Sequence, residues 1–539
     1  MIGRMDLEQG GTVMTISPLY STGYAGVEWL FYLRSDCDMT RTKVRPSLAK
    51  FKELAKTANL IVLSAEVSMD LDTPVSVYYK LVGEKKGFIL ESVDTSHQNM
   101  GRYSFIGADP MVRMQVFKNK LMVKENDLMR CLDGSPVETI KTYMAAYQPA
   151  VEDKLLPLAN GGLVGYLNYD IASTFDRVRG LEAGEEELLG QFMLCRIMVV
   201  FDQLKNSARL LYLVNKQDDL TETYAAAKEK MAVLLQKLAV PVQVPEVSSV
   251  QRTEKVDFLK RYGQAPKEFL AAIHTAKEHI FAGDIFQIVP SRQFREKITK
   301  PPFCFYRRLR QVNPSPYMFY LNFDRVKLVG ASPEMLVKVS GDTIYTYPIA
   351  GTRRRGRNEE EDQALAAELQ QDTKECAEHS MLVDLARNDI GRISKAGSVR
   401  VTKLRQIEKF SHVVHMVSEV IGKLRPEYTP MDVLKACFPA GTVSGAPKLR
   451  AMEIIHELEP IRRNTYAGTV GYMDFCGNMD MCITLRTMRI ENDDTAVIQS
   501  GAGIVADSIP EQEYQEILQK SKALFEVVEE VENDVVAFR

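Results

Sequence analysis

Short apolar runs separated by turn-forming residues dominate the first half of the chain. They recur between Leu60 and Val116, and again at Leu163–Leu167, Met193–Phe201 and Leu210–Val214. Runs of this length, bounded by turn clusters, are typical of antiparallel β-strands. Apolar residues then recur at helical spacing from Thr221 to Leu238, which predicts a helix after the strands.

The second half of the chain contains blocks of strand-like and helix-like pattern. The predicted strands are Tyr317–Leu321, Lys327–Val329, Leu336–Val339, Thr343–Tyr347 and Val399–Thr402. The predicted helices are Pro266–Ala282, Glu359–Asn388, Ser411–Leu424, Pro430–Cys437 and Pro447–Leu458, with a closing helix after Ser508. Because strands and helices come in blocks, we expect an α+β fold of mostly antiparallel sheets with flanking helices.

Changes in pattern divide the chain into regions. Residues 1–50 lack clear periodicity, which predicts a poorly ordered extension. The prolines and small residues within 241–255 predict a linker between a first region, 51–240, and a second region, 256–539. A chain of 539 residues is long enough to fold into two such regions.

Composition and charge argue against several classes of partner. The formal net charge of −3 provides no electrostatic attraction for nucleic acid or for an anionic membrane surface. No apolar run approaches the roughly 18 residues that span a bilayer, and Asp6 and Glu8 argue against a signal peptide. The eight cysteines include no C-x-x-C pair, so we expect no zinc site, no disulfide framework and a cytoplasmic location.

A glycine turn near the carboxyl terminus is the first candidate for chemistry. The apolar run Ala496–Ile498 leads into Gly501-Ala-Gly503, where missing Cβ atoms let backbone N–H groups approach an anion. The helix start that follows has capping-box spacing at Ser508 and Glu511, with Pro510 in its first turn. The sequence therefore places an anion-binding turn directly before a helix.

Acidic side chains on two predicted helices are candidates for holding a hard cation. On the closing helix, Glu513, Glu516 and Lys520 fall on one face. On the long helix, Glu375 and Glu378 lie one turn apart. Carboxylate oxygens suit Mg²⁺, which usually keeps water and ligand oxygens as well. The alternative is that both faces are simply solvated.

Three further groups have two interpretations each. Gly441–Lys448 is a glycine turn before a helix, either an anion site or an ordinary helix start. His412 and His415 lie at i, i+3 on a predicted helix, where a proton-handling role is favoured over metal binding. Arg486 either binds a carboxylate or forms a surface ion pair, and Arg353–Arg355 is expected in a solvated loop.

Six strings in collinear order resemble a single family. They are Gly283-Asp-Ile-Phe-Gln287, Ser332-Pro-Glu334, Tyr347-Pro-Ile-Ala-Gly-Thr352, Ala377-Glu-His-Ser-Met-Leu-Val-Asp-Leu-Ala-Arg387, Phe438-Pro-Ala-Gly-Thr-Val-Ser-Gly-Ala-Pro-Lys448 and Gly501-Ala-Gly503. They are similar to strings of the chorismate-utilising enzymes, and within these to the anthranilate synthase component I group. The resemblance runs from about Asn59 to Val527. It implies large, mostly antiparallel sheets packed face to face with flanking helices.

By this resemblance, the second region binds chorismate. The implied substrate-binding residues are Gly351, Thr352, Tyr466, Arg486, Gly501, Ala502, Gly503 and Lys520. The implied Mg²⁺ ligands are Glu378 and Glu516, supported by Glu375 and Glu513. The cation would bridge these carboxylates to the ring carboxylate of chorismate and withdraw electron density from the diene.

The implied reaction adds ammonia at C2 with loss of the C4 hydroxyl, and then eliminates pyruvate. Glu334 would be the general acid for the departing hydroxyl, which requires a pKa raised by burial or like charge. His415 would handle the C2 proton, with a purely orienting role as the alternative. Thr442 would line the same pocket.

Two positions bear on where the ring is attacked. Aminodeoxychorismate synthases usually carry a lysine where this chain has Ala350, and isochorismate synthases carry a lysine base where it has Gln287. An amide cannot deprotonate water, so both positions favour amination at C2. The alternatives are aminodeoxychorismate synthase component I, which aminates C4, and a catalytically silent subunit that senses tryptophan.

Three more strings resemble the regulatory part of the same family. They are Leu90-Glu-Ser92, Gly101-Arg-Tyr-Ser-Phe-Ile-Gly107 and Asn313-Pro-Ser-Pro-Tyr-Met318. Ser92, Pro316, Tyr317 and Met318 would contact tryptophan, an allosteric inhibitor whose coupling to chorismate must be reciprocal. Ordinary core strands are the alternative.

The source of ammonia is the last expectation. No cysteine lies in a glycine-flanked nucleophile elbow, so a glutaminase segment is not expected within this chain. The resemblance implies a separate glutamine amidotransferase subunit (component II), in a heterotetramer of two large and two small subunits. Free ammonia is expected to support turnover without that partner.

Overall fold

Antiparallel pairing of long strands organises the molecule. The computed structural model describes residues 43–92, 102–151, 156–242, 255–323, 325–409 and 413–533. Its helices are α1 (Leu48–Leu54), α2 (Pro74–Leu81), α3 (Pro136–Ala145), α4 (Ala172–Phe175), α5 (Leu220–Ala239), α6 (Phe258–Tyr262), α7 (Lys267–Phe281), α8 (Pro302–Val312), α9 (Glu359–Gln371), α10 (Thr373–Gly391), α11 (Pro430–Cys437), α12 (Lys448–Leu458) and α13 (Pro510–Glu532). Its strands are β1 (Leu60–Ser68), β2 (Gly87–Glu91), β3 (Tyr103–Val116), β4 (Lys120–Glu125), β5 (Leu128–Asp133), β6 (Gly162–Leu167), β7 (Gly190–Asp202), β8 (Ser207–Asn215), β9 (Gln287–Ile288), β10 (Ser291–Lys297), β11 (Tyr317–Asn322), β12 (Lys327–Ser332), β13 (Met335–Ser340), β14 (Thr343–Thr346), β15 (Ile349–Arg354), β16 (Arg400–Lys409), β17 (Val413–Lys423), β18 (Gly445–Ala446), β19 (Thr469–Asp474), β20 (Met479–Ile483), β21 (Thr487–Ile490) and β22 (Thr495–Gly501).

Strands β3 and β7 pair with each other along their length and belong to two sheets at once. The first sheet has the order β1-β8-β7-β3-β2-β11-β12-β21-β22-β10. The second has the order β5-β4-β3-β7-β6-β19-β20-β13-β14-β17, with β15 and β16 also paired to β17. All these pairings are antiparallel, which confirms the predicted fold class. The short strands β9 and β18 pair separately.

An irregularity in β3 lets this strand serve both sheets. Its register against β7 shifts between Pro110 and Val112. Asp109 there has a φ of +53°, and Pro110 has no N–H to donate. Before this point β3 pairs with β2, and after it with β4. Local bulges bend a strand, and here the bend is where the two sheets part.

Apolar side chains fill the space between the sheets and the space under the helices. Along β1, Leu60 belongs to one core and its neighbour Ile61 to the other, because successive side chains of a strand point to opposite faces. Between the sheets, the ring centroids of Phe105 on β3 and Tyr472 on β19 are 5.7 Å apart. Helices α5, α8 and α13 pack on the first sheet, and α3, α10 and α11 pack on the second.

Strands from both predicted regions contribute to both sheets. Strand β2 pairs with β11, and β6 pairs with β19. The boundaries drawn between 51–240 and 256–539 stay a prediction. Residues 1–42 and most of the predicted linker, 243–254, lie outside the described residues. Within the described part of the chain, no helix has the length and apolar character needed to cross a bilayer.

The predicted helix at Ser411–Leu424 is wrong. Residues Val413–Lys423 form β17, which pairs with β14, β15 and β16. Its β-branched residues suit a strand, and three strand partners satisfy its backbone better than an isolated helical turn would. His415 therefore lies on a strand, and His412 lies outside the described residues.

Two helix boundaries also differ from the predictions. The single helix predicted over Glu359–Asn388 divides into α9 and α10 at Asp372, whose carboxylate accepts hydrogen bonds from the first turn of α10. The predicted capping box at the closing helix is wrong. Helix α13 begins after Ile509, and Ser508 Oγ accepts from the Val505 N–H at 3.1 Å instead. The other predicted helices and the strands β11 to β14 are confirmed within a few residues.

Candidate active site

Glu334 occupies the short connection between β12 and β13, and its backbone is held by strand β20. The Ile483 N–H donates to the Glu334 carbonyl at 3.0 Å, and Ser332 Oγ donates to the Ile483 carbonyl at 2.6 Å. Thr442 Oγ1, in a 3-10 turn, donates to Glu334 Oε1 at 2.9 Å. Burial raises the pKa of Glu334 to about 7. A carboxyl group with this pKa can donate a proton near neutral pH.

Two cationic side chains flank this carboxyl group and oppose the effect of burial on its pKa. Arg486 follows β20 with a φ of +47°, and burial lowers its pKa while the Glu334 charge raises it. Arg486 is half-buried and its charge acts on the Glu334 carboxyl group, so its role in binding a carboxylate stays a prediction. Lys520 Nζ lies 3.2 Å from the Gly501 carbonyl oxygen and 2.7 Å from Glu516 Oε1. The side chain of Lys520 thus ties α13 to the glycine turn.

At Gly501, where β22 ends and the glycine turn begins, there is no room for a side chain. A Cβ on Gly501 would lie 2.5 Å from Tyr466 Oη and 2.7 Å from the Pro290 carbonyl oxygen. The Ala502 N–H donates to the same carbonyl at 3.2 Å. Tyr466 is 5% exposed, and burial raises its pKa. The turn therefore packs directly on the phenol that the resemblance implies for substrate binding.

A second turn of backbone faces His415. Thr352 on β15 pairs with His415 on β17, and the register shifts at this point around Gly351, which has a φ of +79°. His415 Nδ1 lies 3.3 Å from the Gly351 carbonyl oxygen. Burial lowers the pKa of His415, with the Arg486 charge contributing in the same direction. The imidazole is therefore neutral at pH 7 and able to accept a proton.

The two glutamates implied as metal ligands approach the same turn from different helices. Glu378 Oε1, on α10, accepts from Gln287 Nε2 at 2.8 Å, and that nitrogen lies 3.0 Å from the position of a Cβ on Gly503. Glu516, on α13, pairs with Lys520, which contacts the other end of the turn. Both glutamates are therefore linked to the glycine turn, Glu378 through Gln287 beside Gly503 and Glu516 through Lys520 at Gly501.

The two supporting glutamates have different surroundings. Burial raises the pKa of Glu513, the Glu516 charge adds to this, and the Lys374 charge on α10 lowers it. Glu375 lies 3.1 Å from Arg353 Nη1, so an ion pair holds it against β15. Arg353 is the residue that the sequence interpretation missed, although it directly follows the Gly351-Thr352 string.

The predicted solvated loop at Arg353–Arg355 is wrong. Arg353 also forms ion pairs with Glu368 at 3.0 Å and Asp372 at 2.8 Å. Arg355 Nη2 lies 2.5 Å from Asp362 Oδ2, whose pKa falls to about 2 because of that hydrogen bond. The basic cluster thus fastens β15 to α9 and α10, and fixes the helix that carries Glu378.

The carboxylates suit a magnesium ion better than a zinc ion. In the described ranges, no three histidine, cysteine, aspartate or glutamate side chains converge closely enough to form a metal centre. Zinc sites normally need three or four such protein ligands. Magnesium is usually held by one or two carboxylates together with water and ligand oxygens. Glu378 and Glu516 are carboxylates of this kind and stay predicted ligands.

The four residues implied for tryptophan binding line a single pocket. None of the residues of the glycine turn lines it. Ser92, Pro316, Tyr317 and Met318 surround it together with residues of β3, β19 and β20. Tyr317 Oη donates to Asp480 Oδ1 at 2.9 Å. Ser92 Oγ is buried and has no hydrogen-bond partner among the described residues. The pocket therefore combines aromatic walls and paired charged side chains with the Ser92 hydroxyl group, which has no partner in the described part of the chain.

Comparison with known proteins shows the family of this chain. The family model described as chorismate binding enzyme matches residues 86–526. Anthranilate synthase component 1 of Acetivibrio thermocellus is 42% identical over 489 residues, which cover 90% of this chain and 98% of the relative. The Aquifex aeolicus protein of the same name is 42% identical over 492 residues, covering 90% and 97%.

A solved structure agrees with the sequence relatives. The crystal structure of anthranilate synthase component I from Streptococcus pneumoniae TIGR4 matches with a TM-score of 0.65 and 35% identity. The match covers 85% of this chain and 98% of that structure. Nearly the full length of each relative is therefore represented here. The chain belongs to the chorismate-binding enzyme family, among the anthranilate synthase component 1 proteins.

Proposed function

We propose that this chain converts chorismate and ammonia to anthranilate and pyruvate, the first committed step of tryptophan biosynthesis. The observation that supports this most strongly is the Glu334 carboxyl group. Its pKa is about 7, Thr442 donates to it, and the charges of Arg486 and Lys520 lie near it. A proton donor beside two cations suits a dianionic substrate from which a hydroxyl group must leave.

The proposed chemistry assigns a separate task to each side chain. Arg486, Lys520 and the backbone N–H groups of the glycine turn bind the substrate carboxylates. As ammonia forms the bond to C2, the C4–oxygen bond breaks, and Glu334 gives its proton so that the hydroxyl leaves as water. The added nitrogen loses a proton to solvent. His415 then accepts the C2 proton while the bond from C3 to the enolpyruvyl oxygen breaks, which leaves an aromatic ring. The released enolpyruvate takes up a proton at its methylene carbon and becomes pyruvate.

We propose Mg²⁺ as the cofactor, held by Glu378 and Glu516 with Glu375 and Glu513 in support. Bound there, the ion would neutralise the ring carboxylate and withdraw electron density from the diene. The hydrogen bond from Gln287 fixes one Glu378 oxygen at 2.8 Å and leaves the other for a cation. The raised pKa of Glu513 reflects the burial and like charge that a cation would relieve.

Amination at C4 is the nearest alternative reaction, and two residues argue against it and against water addition. The Gln287 side-chain amide donates a hydrogen bond to Glu378. An amide has no basic atom that could activate water. Ala350 has no nucleophilic atom with which to attack the ring. Product identification separates the two aminations, because only the ortho isomer is anthranilate.

We further propose that tryptophan inhibits the enzyme from the pocket around Ser92 and Tyr317, and that glutamine supplies ammonia through a separate amidotransferase subunit. The similar proteins are named component 1, which is consistent with a second component. A heterotetramer of two large and two small subunits in the cytoplasm is the assembly that the resemblance implies.

One experiment tests the main proposal. The purified chain is supplied with chorismate, Mg²⁺ and ammonium salt, and products are separated and identified with and without tryptophan. We expect anthranilate and pyruvate in equal amounts, and a lower rate with tryptophan. Formation of 4-amino-4-deoxychorismate would support the alternative enzyme. No turnover, with tryptophan binding intact, would support a silent sensing subunit.

A further inference from the structure

A buried ion pair behind the substrate pocket has no role in the steps above. Arg463 and Glu459 join at 2.7 Å, with side chains that are 2% and 8% exposed. A second bond, from Arg463 Nε to Glu459 Oε2, measures 2.9 Å, so the pair is bidentate. Exchanging a buried pair for apolar residues is often neutral or stabilising, so stability alone is a weak reason for its presence.

The guanidinium group of Arg463 binds backbone on two sides. Its Nη1 donates to the Val443 carbonyl at 2.7 Å, and its Nη2 donates to the Val289 carbonyl at 2.5 Å. Val443 directly follows Thr442, the residue that donates to Glu334. Val289 directly precedes Pro290, whose carbonyl accepts from the Ala502 N–H. One side chain therefore fixes the backbone beside two parts of the site.

The carboxylate of Glu459 binds the strand opposite the glycine turn. Its Oε1 accepts from the Ser291 N–H at 2.7 Å and from Ser291 Oγ at 2.8 Å. Ser291 is the register partner of Gly501 in the pairing of β10 with β22. The same carboxylate thus holds the backbone against which the glycine turn is built.

Arg463 also lies against two aromatic rings, the nearer being that of Tyr169 at 4.8 Å. The Arg463 guanidinium lies 5.4 Å from the ring centroid of Tyr466, and the Tyr466 N–H donates to the Arg463 carbonyl at 3.0 Å. Cation–π contact and the backbone bond together restrict the ring, whose hydroxyl group packs on Gly501. Three residues in contact with the pair therefore belong to or adjoin the predicted site: Val443 follows Thr442, Ser291 pairs with Gly501, and Tyr466 is itself a predicted substrate contact.

We infer that the Arg463–Glu459 pair is a positioning device that holds the Thr442 turn, the Gly501–Gly503 turn and Tyr466 in register for chorismate. This inference rests on the proposed function. The pair touches no reacting atom, so its loss changes the shape of the pocket while the Glu334 and His415 side chains themselves are retained. The expected signature is weaker chorismate binding, seen as a raised KM, with a smaller change in kcat.

Two variants test the inference at different strengths. Ser291→Ala removes the hydroxyl's hydrogen bond to Glu459 and the one that it accepts from Gln499 Nε2 at 2.8 Å. It keeps the buried charges paired, so it should fold. We expect its KM for chorismate to rise about fivefold. The double variant Arg463→Gln/Glu459→Gln removes both charges together and leaves no unpaired ion. We expect its KM to rise about 50-fold and its kcat to fall less than fivefold.

Arg462→Gln is the matched control. Arg462 is the neighbouring residue and pairs with Asp170 at 3.3 Å, away from the glycine turn. We expect less than a twofold change in KM for this variant. Melting temperature and tryptophan affinity are measured for every variant, because a merely structural role would shift these and KM together.

The outcome that overturns the inference is a wild-type KM in both Ser291→Ala and the folded double variant. If the double variant does not fold, Ser291→Ala decides alone. Calorimetric titration with chorismate, without ammonia, gives the ratio of chorismate affinities between each variant and the wild type, independently of turnover. Wild-type protein that binds chorismate and forms no anthranilate would overturn the proposed function, and the affinity ratio would still decide this inference. Wild-type protein that does not bind chorismate would overturn both.

Discussion

The candidate active site and the pocket around Ser92 are built from different kinds of structure. The active site takes its residues from turns, from helices and from strands β15 and β17, including backbone with positive φ at Gly351 and Arg486. Strand residues form most of the second pocket, including Tyr317 and Met318 on β11. The active site brings a carboxyl group and two cations together, whereas the second pocket combines aromatic rings with charged side chains that are already paired. Lys338 pairs there with Asp480 at 3.3 Å, and Glu91 accepts from Arg310 at 3.0 Å. Catalysis at the active site needs ionisable groups with shifted pKa values. Binding in the second pocket needs a preformed, mostly apolar wall with a few placed polar groups.

The two sites nevertheless share strands β12 and β20. Met318 of the second pocket pairs with Ala331 on β12, and Cys482 on β20 also lines that pocket. The next residue on β20, Ile483, holds the Glu334 backbone. A ligand that moves these strands therefore acts on both sites. Substitutions in one site should still separate the two functions, because the side chains that carry them are different.

Glu516→Gln is expected to give the largest loss of activity with tryptophan binding unchanged. Removing one carboxylate from the proposed cation site should lower kcat/KM about 1,000-fold, equal to ~4 kcal/mol of transition-state free energy. Tryptophan affinity, measured by calorimetry, should stay within twofold of wild type. Glu511→Gln, on the exposed first turn of the same helix, is the control. Retained turnover in Glu516→Gln would remove this residue from the metal site.

The second-largest effect is expected when the proton donor, Glu334, is replaced. Glu334→Gln keeps the shape of the side chain and removes the acid, so we expect a loss of about 100- to 10,000-fold in kcat. Thr442→Val, which removes only the hydrogen bond to that carboxyl group, should cost about tenfold. Single-turnover rates measure both effects. Equal losses in the two variants would assign the acid role elsewhere.

The pH dependence of the reaction reports on the same carboxyl group. Burial raises the pKa of Glu334 to about 7, so the free enzyme holds the proton below this pH and loses it above. At constant free ammonia concentration, kcat/KM should therefore fall about tenfold per pH unit above 7. The falling limb should be absent from the residual activity of Glu334→Gln. A limb that persists in this variant would belong to another group.

The smallest effect is expected in the second pocket. Ser92→Ala removes the hydroxyl group that has no partner among the described residues, so tryptophan loses one hydrogen bond. A hydrogen bond of this kind contributes about 1 kcal/mol, which predicts roughly a fivefold rise in the half-inhibitory tryptophan concentration. Each inhibition curve is normalised to its own uninhibited rate. Ser68→Ala, at an exposed strand end, is the control. Identical inhibition curves for Ser92→Ala and Ser68→Ala would show that tryptophan does not bind at Ser92.

Local patterns in the sequence were sufficient for elements that carry their own start and stop signals. Helix α11 is an example, because Pro430 lies in its first turn and Thr429 forms a capping box with Asp432. The face shared by Glu513, Glu516 and Lys520 also follows from helical spacing alone. The motifs identified the family, since collinear strings do not depend on tertiary contacts. The site residues themselves stay predictions that the experiments above test.

Elements without such signals were decided by their partners. The segment Val413–Lys423 has two plausible periodicities, and only pairing with β15 and β16 makes it a strand. The partners of Arg353 could not be read from its neighbours, because they lie up to 22 residues away on two helices. The pKa of Glu334 depends on Thr442, Arg486 and Lys520, which are more than 100 residues away in the chain. Composition and spacing determine which groups are present and which share a helix face, whereas burial and charge proximity exist only after the chain has folded.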